Sequence, residues 1–410
     1  MKSLDRSSRA FALVIVLSLL AVLVVIVFAI SLVGKVDSQL GQTAVYQIQA
    51  RQNALMAMKL AIGEVQRYAG PDERVTGMAG ITGVPAGAGN YARHWCGVWD
   101  RDGNFLRWLA SGGGGGTIPA LGGTDAIPLV STKSIGAQAT DREQVRVLLR
   151  PINTINASGQ TVTLGQYAYW VGDAGIKLSI VIPDADGVVS GQKHAINQQF
   201  GIQPDDSALD NVLSYGQLNI AGATTPQRQG GFHSYTHSHY GLIGSTLKPG
   251  VVNVNSTSNR FWTGIGATYN RWHPGGFDDI GTFASGMSAA ATWSTPAGDK
   301  MANGPFLTKT AFVSGNTAVI NAITGGGGTL AEFDLSMQDW LAVRSDTFRI
   351  RVYGDAMNPA DNNVAGSTAV AVAYCEAIVQ RTPEIIDSVS GPLGRRFVIT
   401  YFRWLGPDDI

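Results

Sequence analysis

With 30 basic and 30 acidic side chains among 410 residues, and only 15% of positions charged, the chain carries no net charge. That balance argues against electrostatic capture of nucleic acid or of an anionic surface, so no nucleic-acid partner is expected. The 45% hydrophobic content and 51 glycines exclude a disordered polymer and point to a β-rich, loop-rich fold.

From Ala10 to Gly34 the sequence reads AFALVIVLSLLAVLVVIVFAISLVG, without a charge. At helical rise this run covers about 37 Å, enough to cross a hydrocarbon core of about 30 Å. Phe11, Leu13, Ile15, Leu19, Leu23, Ile26 and Phe28 are its anchor positions. Ahead of it Lys2, Arg6 and Arg9 outweigh Asp5, so residues 1–9 read as a cytoplasmic leader and 10–34 as a single transmembrane pass. The run is longer than a signal-peptide core, and no small-x-small site with a polar mature start follows it.

The helix is predicted to continue. Val36, Leu40, Ala44, Ile48, Leu55, Met58, Ile62 and Val65 recur near the helical period over 35–69, missing a beat at Arg51 and Gln52. Gly70-Pro71 is the expected stop.

A basic leader, an apolar half-helix and an amphipathic half-helix feeding a soluble region resemble the build of type IV pilin-like proteins. Arg9-Ala10-Phe11 resembles a prepilin leader junction, and the resemblance implies cleavage by a prepilin peptidase between Ala10 and Phe11. Ala10 stands where the family usually has glycine. Ile15 occupies the fifth mature position, where most pilins have glutamate; its lack is typical of the K-type minor pseudopilin of type II secretion and of X-type minor pilins. YAYWVGDAGIKLSI, SDTFRIRVYGDA, CEAIVQRTPE and GRRFVITYFRWLGPDDI resemble the same group, and the likeness covers 1–110, 144–182 and 304–410. It implies an α+β fold, a long N-terminal helix packed on an antiparallel sheet. Other pilin-like subunits and inner-membrane lipid are the implied partners through that helix, in a type IV pilus or a type II secretion pseudopilus. The domain would lie in the periplasm or outside. Missing the glutamate, the chain would suit a tip or initiating position.

Beyond Pro71 the region 70–182 reads as pilin-like strands. Arg93–Val98 with Trp99 and Phe105–Leu109 flank the turn-rich Asp100–Asn104 and are predicted as a hairpin. Gly112–Gly116 is read as a surface loop. Gln144–Arg150 is a strand candidate, and Tyr167–Val171 is expected to turn through Gly172-Asp173-Ala174-Gly175 into Ile176–Ile182 as a second hairpin. In 304–410 a short helix is expected at Leu335–Leu341. Thr347–Tyr353, with Phe348, Ile350 and Val352 alternating with Arg349 and Arg351, reads as a half-buried strand. Ala369–Arg381 and Arg396–Leu405 complete an antiparallel meander.

Residues 183–303 are glycine-, asparagine- and serine-rich and read as an insertion, the counterpart of the large K-type one. His233, His237 and His239 offer i, i+4 and i, i+2 spacings without the further ligands of a zinc motif, and a hydrogen-bonded cluster is favoured. Asp184-Ala185-Asp186-Gly187 opens like a calcium loop, but Val188 and Ala195 stand where oxygen ligands belong. Neither a metal nor a cofactor is expected. Ser245 and Lys248 match the S-x-x-K box of penicillin-binding acyl enzymes, and Ser314-Gly315-Asn316 fits S-x-N, but Lys309-Thr310-Ala311 lacks the glycine of K-T-G. No catalytic residue is assigned. Phe261, Trp262 and Trp272 are read either as core or as the contact surface of a membrane-anchored module that binds glycan or protein. Cys96 and Cys375 either pair as a disulfide or stay as buried thiols.

Overall fold

The computed structural model describes residues 4–83, 90–135, 143–179, 202, 232–236, 239–273, 276–289, 304–323, 330–358 and 369–410. One helix, α1 (Leu4–Ala69), runs unbroken for 66 residues, about 99 Å. It ends at the expected stop, where Gly70 N donates to Gln66 O at 3.2 Å.

The first strands are β1 (Val75–Met78), β2 (Cys96–Trp99) and β3 (Phe105–Trp108), in antiparallel order. The β2–β3 pair is the predicted hairpin, turned by Asp100, whose carboxylate accepts from the Asp102 and Asn104 amides. Next come β4 (Ala126–Val130) with β5 (Val145–Leu148), then β6 (Arg150–Ile155) and β7 (Thr161–Asp173). Short pairs follow: β8 (Leu178–Ser179) with β9 (Tyr235–Thr236), and β10 (Tyr240–Ile243) with β11 (Thr246–Pro249). β12 (Val252–Asn253) pairs in parallel with β13 (Leu341–Ala342). The chain closes on β14 (Thr347–Ala356), β15 (Ala371–Ile385) and β16 (Arg395–Leu405), the predicted meander. The main sheet is antiparallel in the order β16-β15-β14-β7-β6, so β16 and β6 are its edges.

The architecture is α+β in three layers. α1 covers one face of the sheet through a core of Phe348, Ile350, Val352, Val171 and Val379. A mixed layer, including helices Asn259–Trp272 and Ile280–Ser288, covers the other face through a second, aromatic-rich core. Phe261, Trp262 and Trp272 belong to that core; Trp262 stacks on Phe312 and donates to Ser256 O at 2.8 Å. They are not available as a binding surface.

Four sequence expectations need correction. Over the described residues the hairpin from Tyr167 into Ile176–Ile182 does not form, because β6 and β14 take both sides of β7; residues 180–182 lie outside the described residues. After Asp173, whose carboxylate accepts from Gly175 N at 2.8 Å, the chain leaves the sheet, and Leu178–Ser179 pairs in parallel with β9. β14 is buried on both faces rather than one, since the mixed layer also covers Arg349 and Arg351. The short helix spans Leu330–Met337, and Leu341–Ala342 is strand instead. In the five-glycine run Gly113 is buried, with Trp108 O 2.4 Å from where a Cβ would stand, and only Gly114–Gly116 are exposed.

Candidate assembly surface

Among the described residues the apolar half of α1 is bare: Phe11 is 69% exposed, Ile15 47% and Phe28 68%, and Leu13, Leu19, Leu23 and Ile26 are similarly exposed. A stretch this apolar leaves water for lipid or for like helices. Ser18 bonds back to Ile15 O at 2.8 Å, so its hydroxyl needs no outside partner. Ala10 lies within the helix, outside the residues whose side chains are described.

The other half docks by a face the hydropathy pattern picked out only in part: Met58 and Val65 are buried and Ile62 packs beside them, but most of the face is alanine. Ala50, Ala54, Ala57, Met58, Ala61, Val65 and Ala69 are buried against the sheet, while Val36, Leu40, Ile48 and Leu55 remain exposed. Small side chains allow a close approach. At Gly354 of β14 a Cβ would stand 2.2 Å from Ala54 N and 2.6 Å from Ala50 O. Asn53 Nδ2 donates to Asp355 O at 2.6 Å, Gln49 Nε2 to Leu164 O at 3.2 Å, and Arg107 pairs with Glu64.

The end of α1 is latched by charge. Arg381 of β15, fully buried, donates through Nε to Gly70 O at 2.9 Å and through its terminal nitrogens to Gly70 O, Asp72 and Asp346. Arg395 Nε bonds both oxygens of Asp72 at 2.9 and 3.1 Å, and Arg344 Nε lies 3.3 Å from Asp346. Burial disfavours the Asp72 carboxylate, but hydrogen bonds from Arg395 and Arg381 outweigh it and hold its pKa below the usual range. Gly394, at φ 57°, lets the β15–β16 turn press on Gly70. Cations at the carbonyl end of a helix also complement its dipole.

The opposite face of β14 carries a second buried charge set. Arg351 Nε donates to Glu376 at 2.7 Å, and its other nitrogen reaches Leu129 O, Ser134 Oγ and Asp409 O. Burial raises the Glu376 pKa, but Arg351, Arg349 and Arg403 outweigh that and bring it down to about 2. Lys177 donates to Phe232 O at 2.9 Å, and burial first, then Arg349, pushes its pKa well down. Asp173, fully enclosed, is pushed up to about 6 by burial. This layer fixes the insertion to the sheet; sequence reading missed it because its members lie far apart in the chain.

Other sequence candidates are dispersed. His233 stacks on His94 with centroids 3.5 Å apart and bonds Glu143 O, whereas His239 is buried near the β10–β11 hairpin, its pKa pushed down to about 4 by burial. His237 and Asp184–Gly187 lie outside the described residues, and among those described no three metal-binding side chains gather. Gly244-Ser245 is a two-residue hairpin turn, and the Lys248 ammonium sits 3.6 Å from the Trp340 ring centroid and 3.9 Å from Asp339 rather than serving the serine. Cys96 and Cys375 are free, buried thiols in the core under α1.

No family model and no curated protein matches the chain. Among solved structures, a chain of the crystal structure of the GspK-GspI-GspJ complex from the enterotoxigenic Escherichia coli type 2 secretion system is similar over 63% of this chain and 84% of that chain, with 10% identity and a TM-score of 0.30.

Proposed function

We propose that the chain is a structural assembly subunit, pilin-like in role, held in a bacterial inner membrane by α1 and joining other pilin-like subunits through it. The observation that carries this reading is the division of one unbroken helix into a bare apolar half and a docked alanine-faced half. The bare half exchanges lipid for neighbouring helices at little cost, and the docked half transmits its position to the domain. The leader 1–9 stays in the cytoplasm, the domain faces the periplasm or the outside, and prepilin peptidase cuts between Ala10 and Phe11.

Ile15 refines the role. A glutamate there would pair with the amine of a neighbouring subunit, since either charge alone is costly in an apolar bundle. This chain offers only its own Phe11 amine, which suits a tip or initiating subunit present in few copies. The test is terminal sequencing of the membrane-extracted protein together with copy counting in sheared filaments. A mature start at Phe11 and a low copy number are expected. An uncleaved leader, or abundance along a filament shaft, refutes the reading.

A further inference from the structure

We propose that β16 and the flank of α1 beside it form a docking seam for a strand edge of a second, non-identical chain anchored in the same membrane. This deepens the assembly reading and rests on it.

The two edges of the main sheet are unlike. β6 begins Arg150-Pro151. Pro151 stands opposite Gln166, whose own amide turns away to the Asp355 carboxylate, so the proline nitrogen faces outward and offers no donor there. That edge is blunted. β16 carries no proline: between Arg395-Arg396 and Arg403 its centre, Phe397–Phe402, reads FVITYF, without charge, proline or glycine, with Thr400 as an extra residue opposite Ile378 and Val379. Ile399 is 53% exposed, Tyr401 47%, and Phe402 and Trp404 40% each. Gln66 of α1 already bonds Arg395 O and Phe397 N at the start of the strand; from Ile399 on, an open edge of this composition is a template for pairing and aggregation.

The edge is continuous with α1. Gln66 Oε1 accepts from Phe397 N at 2.9 Å and the Arg51 guanidinium lies 5.5 Å from the Trp404 ring, so this flank of the helix borders β16. At 100° per residue Ile48, Leu55 and Ile62 fall on the same flank, and Ile48 and Leu55 are exposed. A cavity of about 470 Å³ opens at the top of the seam between Arg51, Tyr374, Trp404 and Pro407. It has room for an apolar side chain.

The occupant follows from geometry. Pairing β16 antiparallel with its own copy places a two-fold normal to the sheet, which reverses α1 and points the two anchors in opposite directions. Pairing the copies in parallel puts the helices on opposite faces, where they do not bundle. Head-to-tail pairing with the β6 edge of a copy meets Pro151 and Arg150. A different chain with an unguarded, uncharged strand edge and a co-oriented helix satisfies all three constraints.

The test uses the full chain in the membranes of its native host, with Ile399→benzoylphenylalanine, Ile155→benzoylphenylalanine on β6, or Ile26→benzoylphenylalanine in the anchor, followed by sequencing of cross-linked peptides. Ile399 is expected to link to an uncharged strand of another single-pass chain, and Ile155 to none. Phe402→Lys, checked for an unchanged melting curve, should lower the Ile399 yield at least tenfold. Self-linkage, lipid-only linkage or none at Ile399, while Ile26 links to a foreign helix, overturns the seam and leaves the assembly reading standing. Lipid-only linkage at Ile26 with a strand partner at Ile399 keeps the seam and overturns the helix-bundle reading; failure at both sites overturns both.

Discussion

Replacing Gly354 with alanine tests the contact on which the whole domain turns. The added Cβ meets Ala54 N at 2.2 Å, Ala50 O at 2.6 Å and the Asn53 carbonyl carbon at 2.7 Å, all backbone. No rotamer change relieves such a clash; the helix must lift from β14. Overpacking of this kind costs about 1–3 kcal/mol, and a rigid neighbour places this site near the upper end. A loss of about 2.5 kcal/mol, if the helix lifts locally, raises the open fraction of the 50–61 segment about sixty-fold. Hydrogen exchange followed by mass spectrometry on the full chain in detergent reads that factor directly. Gly41→Ala supplies the control, since nothing lies within 4 Å of its added Cβ, and a helical alanine there stabilises by about 1 kcal/mol. Unchanged exchange over 50–61 in Gly354→Ala would refute the close-approach argument.

Arg381→Met should lower unfolding stability by about 3 kcal/mol in urea titrations, because Asp346 is left with Arg344 as its one nearby cation beside the Leu242 amide, Asp72 loses one of its arginines, and the Gly70 carbonyl keeps only the Arg395 amide; Arg381→Lys should not restore it, lacking the planar fork. Asp173 has its folded pKa raised from 3.8 to about 6, so its contribution is fully present below pH 3.8 and is lost as pH rises through about 6. Relative to Asp173→Asn, the wild-type chain should therefore lose stability between pH 4 and 7, and a flat difference refutes the burial argument. Without reductant, a maleimide should add to both Cys96 and Cys375 in denaturant and to neither within minutes in the native state; intact mass that shows no adducts after unfolding would reveal a bridge.

The helix and the closing meander were legible in the sequence because their signals are local: an uncharged run, a glycine-proline stop, strands separated by turns. The docking face was legible only in part: Met58, Ile62 and Val65 do face the sheet, but periodicity scored by hydropathy weights large side chains and also selects Val36, Leu40, Ile48 and Leu55, which stay exposed. A sheet carrying Gly354 at the crossing instead demands alanine, a requirement written three hundred residues away. Arg349 and Arg351 looked solvent-facing by alternation, since the groups that bury them, Lys177, Phe232 and Glu376, are brought in from other elements. The hairpin after Tyr167 failed similarly: a plausible turn lost to the strand just before β7 and to β14 far along the chain, both of which pair with β7 over longer runs.

The latch at Gly70 bears on how the chain would carry load. If a filament is pushed or pulled through its helices, force enters this chain along the axis of α1. The alanine face then slides along the sheet, so its contacts are loaded together in shear rather than peeled one by one. Arg381, Arg395 and the Gly70–Gly394 contact sit at the far end of that path and act as a stop against axial slip. Pulled sideways at its tip, the same helix would peel from its Tyr46 end and leave the stop for last. Single-molecule pulling in the two directions should therefore give unequal rupture forces, and Arg381→Met should narrow the gap by weakening the axial one.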